Sequence, residues 1–459
     1  MKLGPAQFFA GLATVGAIVL LIVPPPDGVS PGTMHAAAIV TLAIGLWATG
    51  VLPEYLTALL FFLLAVVFAV APRDVVFSGF SAGATWLLFG GLVIGLAVER
   101  TGFGARVSRR AVGLLTGSYL GILYCLVIGG TLLAFLVPSA AGRVVITLPF
   151  VLKFAEQLGF REGSNGRTAM ALALGMGTVF PTFSILPAAV PNMGLVGAAE
   201  SIYGIQFTYG LYLAQNFPVI GIPSMLFLPL ALRFVYPDTP RPRFETAEWR
   251  PLGGGEIRLT IILLMSLALW LSDAWHGVSP AWVALGAAVL LVLPRIGVIA
   301  PEELVRGVNY GPWFYIAALV GMGAVVHNSG LGDAVGRLVL SVIPLSPGND
   351  AQNFVAMVAL GMGMGLVSTM PGQPGIMTPL AQPIADATGW PLMTVLMAQV
   401  PSWGLALVPY QIPPLVVTLA MARLSIGKIL PVMWLHVAFI WAVTMPLTFL
   451  WWKATGFIP

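Results

Sequence analysis

The chain has 459 residues, of which 58% are hydrophobic and only 8% are charged. Because soluble domains carry roughly a quarter charged residues, this composition excludes a soluble enzyme and a disordered chain and indicates a protein that lies within the bilayer. The single cysteine, Cys125, excludes a disulfide-stabilised fold and a cysteine-based metal site. A net charge of +4 is typical of a membrane protein with basic cytoplasmic loops and does not indicate nucleic-acid binding.

Long apolar runs recur along the whole chain, which indicates spanning helices rather than barrel strands. A helix needs about 20 apolar residues to cross the hydrocarbon core. The runs predict eleven spans, at Ala6–Val23, Ala36–Val51, Tyr55–Val70, Ser118–Val137, Tyr209–Val235, Leu259–Trp270, Ala281–Leu293, Tyr315–Val326, Phe354–Val367, Met393–Val408 and Ile429–Trp451.

One polar stretch, Tyr236–Arg258, interrupts the apolar pattern for long enough to form a loop. It is rich in proline and arginine, so the positive-inside rule places it on the cytoplasmic side. We therefore divide the chain into N-terminal scaffold helices, a first repeat, a cytoplasmic linker, scaffold helices of the second half and a second repeat: 1–80, 81–235, 236–258, 259–310 and 311–459.

The two halves of the chain resemble each other. Pro149–Phe160 aligns with Pro379–Trp390 at an offset of 230 residues, with a proline, an alanine, an acid, a glycine and an aromatic in common. Upstream, Arg100–Gly104 matches Asn328–Gly332, and both follow a glycine-rich apolar run. Membrane proteins built from two such halves are very often secondary transporters with a site at the midplane. The sequence leaves open whether the repeats are parallel or inverted.

Helix-breaking residues interrupt each half twice at membrane depth. The first pair of interruptions is Val137–Arg143 and Val367–Gly375, and the second is Phe180–Asn192 and Val408–Pro414. Proline costs about 3 kcal/mol inside a helix, and irregular backbone survives in a membrane only where it is buried in protein or lines a wet cavity. We therefore expect these segments to form the functional site.

A broken helix exposes N–H groups that attract anions and C=O groups that attract cations. Nearby hydroxyl groups can donate and accept, although they can also bond back to their own helix. The candidates for substrate binding are Ser139, Ala140, Ala141, Gly142, Arg143, Ser368, Thr369, Gln373, Pro191, Asn192, Pro413 and Pro414.

Arg143 is the most informative single residue because it stands between two apolar runs. A buried arginine usually faces a functional cavity or a partner and could hold a carboxylate or sulfate with two parallel hydrogen bonds. The alternative is an interfacial arginine whose side chain extends to the lipid headgroups.

With these motifs the chain resembles the divalent anion/sodium symporter family, which moves di- and tricarboxylates or sulfate. The resemblance rests on Gly90-Gly91 leading to Arg100-Thr101-Gly102, on the paired interruptions and on Pro191-Asn192. The chain departs from the family pattern at the interruptions. Ala140 and Thr369 stand where the family has asparagine, and Ala141 and Met370 stand where it has threonine.

The resemblance implies an all-α polytopic membrane protein with two inverted repeats, re-entrant hairpins and broken helices. It implies substrate held between the two hairpin tips, an elevator-like movement and a scaffold that forms a homodimer. It also implies sodium as a coupling ion near Ser139, Thr182, Ser368 and Gln411.

We thus predict a secondary active transporter of a small carboxylate or sulfate-like anion, ion-coupled, in the inner membrane of a bacterium. No cofactor other than sodium is expected, and no nucleic acid. The alternatives are an anion exchanger and the membrane subunit of a multi-component uptake system. An intramembrane hydrolase could pair Ser139 with His327, but the chain lacks the Gly-x-Ser-x-Gly and His-Glu-x-x-His motifs, so we do not expect an enzyme.

Overall fold

The computed structural model describes residues 4–103, 118–135, 137, 139–240 and 253–459. Within these residues all regular secondary structure is helical, and there is no β-strand. The N-terminal part forms α1 (Pro5–Ile22), α2 (Pro31–Thr49), α3 (Glu54–Val67) and the single turns α4 (Arg73–Val76) and α5 (Ser78–Ser81).

The first half continues with one straight helix, two helices separated by a short segment, an interrupted helix and a long helix. In order they are α6 (Gly83–Thr101), α7 (Tyr119–Ala134), α8 (Ala140–Gln157), α9 (Asn165–Gly177), α10 (Val190–Tyr203), α11 (Tyr209–Asn216) and α12 (Ile222–Val235). We call residues 135–139 the first tip and residues 178–189 the first break. The turn between α11 and α12, Phe217–Gly221, is a π-helix.

The second half opens with α13 (Gly254–Leu271), α14 (Asp273–His276), α15 (Pro280–Val292) and α16 (Pro301–Gly307). It continues with α17 (Gly311–Asn328), α18 (Leu331–Val342), α19 (Asp350–Val367), α20 (Gln373–Met377), α21 (Ala381–Thr388), α22 (Leu392–Met397), α23 (Pro413–Ala422), α24 (Ile426–Phe439) and α25 (Met445–Ala454). We call residues 368–372 the second tip and residues 398–412 the second break.

The order of elements after α5 therefore occurs twice. The straight helices α6 and α17 are each followed by a glycine in the left-handed region, Gly102 at φ 70° and Gly330 at φ 71°, where a side chain would be strained. Each half then has a tip, a break and a long helix. Both long helices contain a π-helical turn, Phe217–Gly221 and Ile440–Thr444.

Six helical stretches of the described chain are long and apolar enough to cross a membrane, and α17 with α18, bent by 78°, makes a seventh. The six are Pro31–Thr49, Gly83–Thr101, Tyr209–Val235, Gly254–Leu271, Asp350–Val367 and Ile426–Ala454. The chain is thus the all-helical membrane protein that the sequence predicts.

The structure differs from two of the sequence predictions. The predicted span Met393–Val408 is wrong, because α22 ends at Met397 and the chain continues as a 3₁₀ turn, Val400–Gly404, that contains Pro401. The predicted linker extended to residue 258, whereas α13 begins at Gly254. The arginines at 241, 243 and 250 lie outside the described residues.

Helix α10 joins the site to the rest of the protein by packing between α6 and α17. A β-carbon on Gly197 would lie 2.7 Å from the Val320 side chain and 2.9 Å from the Ala84 side chain. Glycine is required at this position because the three helices approach each other so closely.

Candidate functional site

A helix cap shapes the first tip. Ser139 has extended backbone, and its hydroxyl oxygen accepts a hydrogen bond from the Gly142 N–H at 3.1 Å, which is the geometry of a serine N-cap. Helix α8 therefore begins at Ala140, and the side chains of Ala140 and Ala141 are small and half-buried. The positive end of α8 lies at this tip. Pro138 lies outside the described residues.

Arg143 lies one turn further along α8 and is only 1% exposed. Its guanidinium donates to the carbonyl oxygens of Val137 (2.5 Å), Thr178 (2.7 Å) and Ala188 (3.2 Å). The Thr182 hydroxyl oxygen is a fourth neighbour, at 3.4 Å. This burial excludes the alternative in which Arg143 reaches the headgroups. The side chain instead ties the first tip to the first break.

No carboxylate compensates the charge of Arg143 within the described part of the chain. The salt bridges found there involve Arg100, Arg167, Arg423 and Lys453. The Nε atom of Arg143 is buried and has no hydrogen-bond partner among the described residues. Among the described residues, backbone dipoles and one hydroxyl group alone stabilise this buried positive charge, which is costly without an anion.

In the second repeat, Gln373 occupies the place that Arg143 has in the first, 230 residues earlier. It is fully buried, and its Nε2 donates to the Gly361 carbonyl oxygen at 2.8 Å. Its Oε1 has no hydrogen-bond partner among the described residues. A neutral amide thus binds the second tip to α19, so the two repeats differ in charge at equivalent positions.

The two hydroxyl residues of the second tip differ in exposure. Ser368 is 2% exposed, and its hydroxyl lies 3.2 Å from the Met364 carbonyl oxygen, so it bonds back to its own helix. Thr369 is half-buried and precedes the 3₁₀ turn Met370–Gly372. Of the two, Thr369 is the one that a ligand at the second tip could reach.

Gln411 holds the second break against α19. Its Nε2 donates to the Gly365 carbonyl oxygen at 2.5 Å. Its Oε1 accepts hydrogen bonds from the N–H groups of Leu407 (2.7 Å) and Val408 (3.0 Å). One fully buried amide therefore satisfies three backbone groups that an unwound segment would otherwise leave unpaired.

We predict that Gln411→Ala lowers the thermal stability of the purified protein by several degrees. Each buried backbone group left without a partner costs about 1–3 kcal/mol, and three groups lose theirs. The control is Gln352→Ala, since Gln352 is exposed and makes a single bond to the Pro344 carbonyl oxygen. Thermal unfolding in detergent measures both, and equal melting temperatures for the two variants would contradict this role.

The start of α10 supplies Pro191 and Asn192, both buried. The Asn192 amide donates to the Ile185 carbonyl oxygen at 2.7 Å, which fixes the shape of the first break. Its Oδ1 is buried without a hydrogen-bond partner among the described residues. The amide nitrogen of Asn192 thus bonds within its own repeat, and its amide oxygen is an acceptor without a partner among the described residues.

Each tip region packs against the interrupted helix of the other repeat. Helix α23, which begins with the half-buried Pro413 and Pro414, packs along α8. A β-carbon on Gly194 in α10 would lie 3.4 Å from the Pro374 ring, directly after the second tip. The two breaks also touch each other, through the turns Pro181–Ser184 and Val400–Gly404. The candidates from both repeats therefore belong to one packed core.

The serine and histidine of the hydrolase alternative are engaged elsewhere. The Ser139 hydroxyl caps α8, and the His327 ring packs edge-on against Tyr203 with 5.6 Å between ring centroids. His327 is exposed at the end of α17. The nucleophile–base pair that such an enzyme requires is not formed.

Sequence reasoning missed His436, which is 1% exposed and lies against both breaks. A signal was present, since a histidine within the apolar run Ile429–Trp451 is an ionisable group at membrane depth. The carbonyl oxygens that receive the Arg143 bonds gave no such signal, because every residue has one.

The paired tips and breaks, within a repeated all-helical membrane fold, define the class of membrane transport proteins with broken helices. A family model described as the sodium:sulfate symporter transmembrane region matches residues 6–458, so the chain belongs to this family. The expectation that the protein is not an enzyme is confirmed, because this is a family of transporters.

Several relatives have names that describe transport. The chloroplastic dicarboxylate transporter 1 of Spinacia oleracea is 28% identical over 68% of this chain and 57% of its own length. The L-tartrate/succinate antiporter of Escherichia coli strain K12 is 24% identical over 57% of this chain and 56% of its own length. The chain thus spans little more than half the length of either protein.

A solved structure shares the fold. The Alcanivorax borkumensis YdaH transporter, whose topology is described as unusual, superposes with a TM-score of 0.54. The superposition covers 93% of this chain and all of that one, at 14% sequence identity. This likeness supports the all-helical transporter fold.

Proposed function

We propose that the protein is a secondary transporter that exchanges small divalent carboxylates, which bind in the core formed by the two tips. The observation that carries this proposal is Arg143, a buried cation with four oxygen neighbours and no salt bridge in the described structure. A mobile anion would supply the missing counter-charge. The half-buried start of α8 adds backbone N–H groups and the positive end of a helix dipole.

The side-chain N–H groups of the core, which belong to one guanidinium and two amides, favour exchange over sodium symport. Carbonyl and hydroxyl oxygens such as those around Arg143 are ligands that a sodium ion would also need, and here the guanidinium occupies them. In the second repeat the amides of Gln373 and Gln411 take the carbonyl oxygens of α19. A covalently attached cation cannot leave the core. Crossing the membrane without an anion would therefore expose an uncompensated charge to lipid, which is costly.

The substrate class follows from the charge of the core and from the relatives. One fixed positive charge with a helix N-terminus suits an anion, and two relatives are named for dicarboxylate and for tartrate and succinate transport. We therefore propose four-carbon dicarboxylates. Thr369, on the opposite tip, is the accessible hydroxyl that would contact the second carboxylate.

We propose that the core moves as a unit against scaffold helices to give alternating access. Close packing of α6, in the first repeat, on the scaffold helix α15 supports a boundary between the two, since a β-carbon on Gly90 would lie 2.6 Å from the Ala284 backbone. Large apolar side chains are exposed on α13, for example Ile261 and Leu264, and such a surface suits lipid or a second copy in a homodimer. We also propose that the protein lies in the inner membrane of a bacterium, since its long apolar helices require a bilayer.

The test is counterflow in proteoliposomes that contain the chain alone. We expect uptake of radiolabelled succinate when the lumen contains unlabelled succinate, little uptake into empty liposomes, and no change when choline replaces sodium. Strong sodium-dependent uptake into empty liposomes would overturn the exchange mechanism. Transport by the chain alone would also show that no accessory subunit is required.

A further inference from the structure

His436 lies at the centre of the core that contains both breaks. It belongs to α24, directly before the π-helical turn Ile440–Thr444, and π-helical turns occur frequently at functional sites. Its ring packs on the Phe180 ring of the first break at 4.2 Å between centroids. Its Cε1 lies 4.0 Å from the position of a β-carbon on Gly404 in the second break.

The two ring nitrogens of His436 have different surroundings. Nε2 lies 3.3 Å from the Ser224 hydroxyl oxygen of α12, whereas Nδ1 is buried and has no hydrogen-bond partner among the described residues. A buried polar atom without a partner is costly, so it usually serves a role. In the tautomer whose Nε2–H donates to Ser224, the lone pair of the neutral ring lies on Nδ1, which can therefore accept a proton.

The ionisable groups around His436 include one nearby cation. Arg143 donates to the Thr178 carbonyl oxygen and lies 3.4 Å from the Thr182 hydroxyl oxygen. These two residues stand two positions before and two positions after Phe180, whose ring packs on His436. The first break also receives a hydrogen bond from the Tyr212 hydroxyl, through the Phe183 carbonyl oxygen.

The remaining ionisable groups on the surrounding elements lie further from the ring along the chain. On α12, Arg233 stands nine residues beyond Ser224, and on α24 itself Lys428 stands eight residues before His436. The second break carries Tyr410, which is 44% exposed. No carboxylate contacts the His436 ring within the described structure.

We propose that His436 binds one proton when a divalent anion occupies the core, so that the loaded core has no net charge. This inference rests on the exchange function proposed above. The proton comes from a hydronium ion of the solution that the core faces; the Nδ1 lone pair takes it, and water is left behind. While the core is empty, a second positive charge near Arg143 is repelled in the low-dielectric interior. A bound dianion reverses this balance, because Arg143 and a protonated His436 together match its two negative charges.

The first experiment is isothermal titration of the purified protein with tartrate between pH 6 and 7.5, in two buffers that differ in ionisation enthalpy. Both carboxyl groups of tartrate stay ionised there, since ordinary carboxyl pKa values lie near about 4. We expect uptake of one proton per tartrate. The apparent Kd should therefore rise by up to about tenfold for each unit by which the pH increases. Tartrate binding without proton uptake would overturn the proton-binding role of His436 and leave the proposed function intact. Absence of tartrate binding would overturn the proposed function.

Two variants assign the proton to this residue. His436→Gln is expected to abolish proton uptake and flatten the pH dependence, and His327→Gln, at the exposed end of α17, should keep both. The complementary protein carries His35→Gln, His276→Gln and His327→Gln, so that His436 is its only histidine of the four in the chain. It should still take up the proton even if His436→Gln fails to fold. Loss of proton uptake in this triple variant would assign the proton elsewhere.

Discussion

Replacing Arg143 with glutamine is expected to reduce dicarboxylate counterflow by roughly 100-fold or more. Removing one partner of a buried charge pair costs about 3–5 kcal/mol, and each 1.4 kcal/mol is about tenfold in an equilibrium constant. Glutamine is the residue at the equivalent position of the second repeat, where Gln373 donates to a carbonyl oxygen. It can therefore still donate a hydrogen bond within the first break, while the charge that attracts the anion is gone.

The controls for Arg143→Gln separate charge from folding. Arg423→Gln removes an arginine that is 81% exposed and lies 3.8 Å from Glu162, itself 64% exposed; surface ion pairs of this kind contribute little, so counterflow should remain near wild type. Arg143→Lys keeps the charge but offers fewer fixed donors and should retain part of the transport. Wild-type counterflow by a folded Arg143→Gln protein would refute the role of Arg143 as the counter-charge of the substrate.

Gly177→Ala is expected to destabilise the protein strongly and to abolish transport as a consequence. A β-carbon at this position would lie 2.6 Å from the Val127 Cα atom and 3.0 Å from its carbonyl oxygen. These are backbone atoms of α7, which cannot rotate away as the end of a side chain can. Overpacking of this kind typically costs about 1–3 kcal/mol or more. The next residue, Thr178, supplies a carbonyl oxygen to Arg143, so a displaced first break would also misplace the guanidinium.

Gly129→Ala is the matched control, since Gly129 lies on the same helix as Val127 and a β-carbon there meets nothing within 4 Å. Alanine is favoured over glycine inside a helix by about 1 kcal/mol, so this variant should be as stable as the wild type or more so. Thermal unfolding in detergent measures the pair. An unchanged melting temperature for Gly177→Ala would show that α7 and α9 can separate at little cost.

Apolar runs predicted several helix boundaries correctly. The predicted span Tyr209–Val235 coincides with the stretch from α11 to α12, and the predicted span Ser118–Val137 begins at the N-cap of α7. The prediction of a continuous span at Met393–Val408 failed because one proline and one glycine, Pro401 and Gly404, have a stronger effect than the surrounding apolar residues.

Partners within the site could not be predicted in the same way. Arg143 was identified as important because a charge in an apolar run is visible in the sequence, but its acceptors Thr178 and Ala188 lie 35 and 45 residues away. Backbone carbonyl groups are chemically identical at every position, so only three-dimensional packing selects among them. His436 was overlooked for a related reason, since its significance depends on Phe180 and Gly404, which belong to two different repeats.

The sequence by itself determined that this is a helical membrane protein with a duplicated plan and matched interruptions. These properties depend on hydropathy, proline and glycine, which act on the backbone within a few residues. Only the tertiary structure decided that a fixed guanidinium donates to carbonyl oxygens of the first tip and first break, that two amides donate to carbonyl oxygens of α19, and that each tip packs against the other repeat. Such contacts depend on how distant helices pack, and a linear pattern of residue types does not encode which distant groups come within hydrogen-bonding distance.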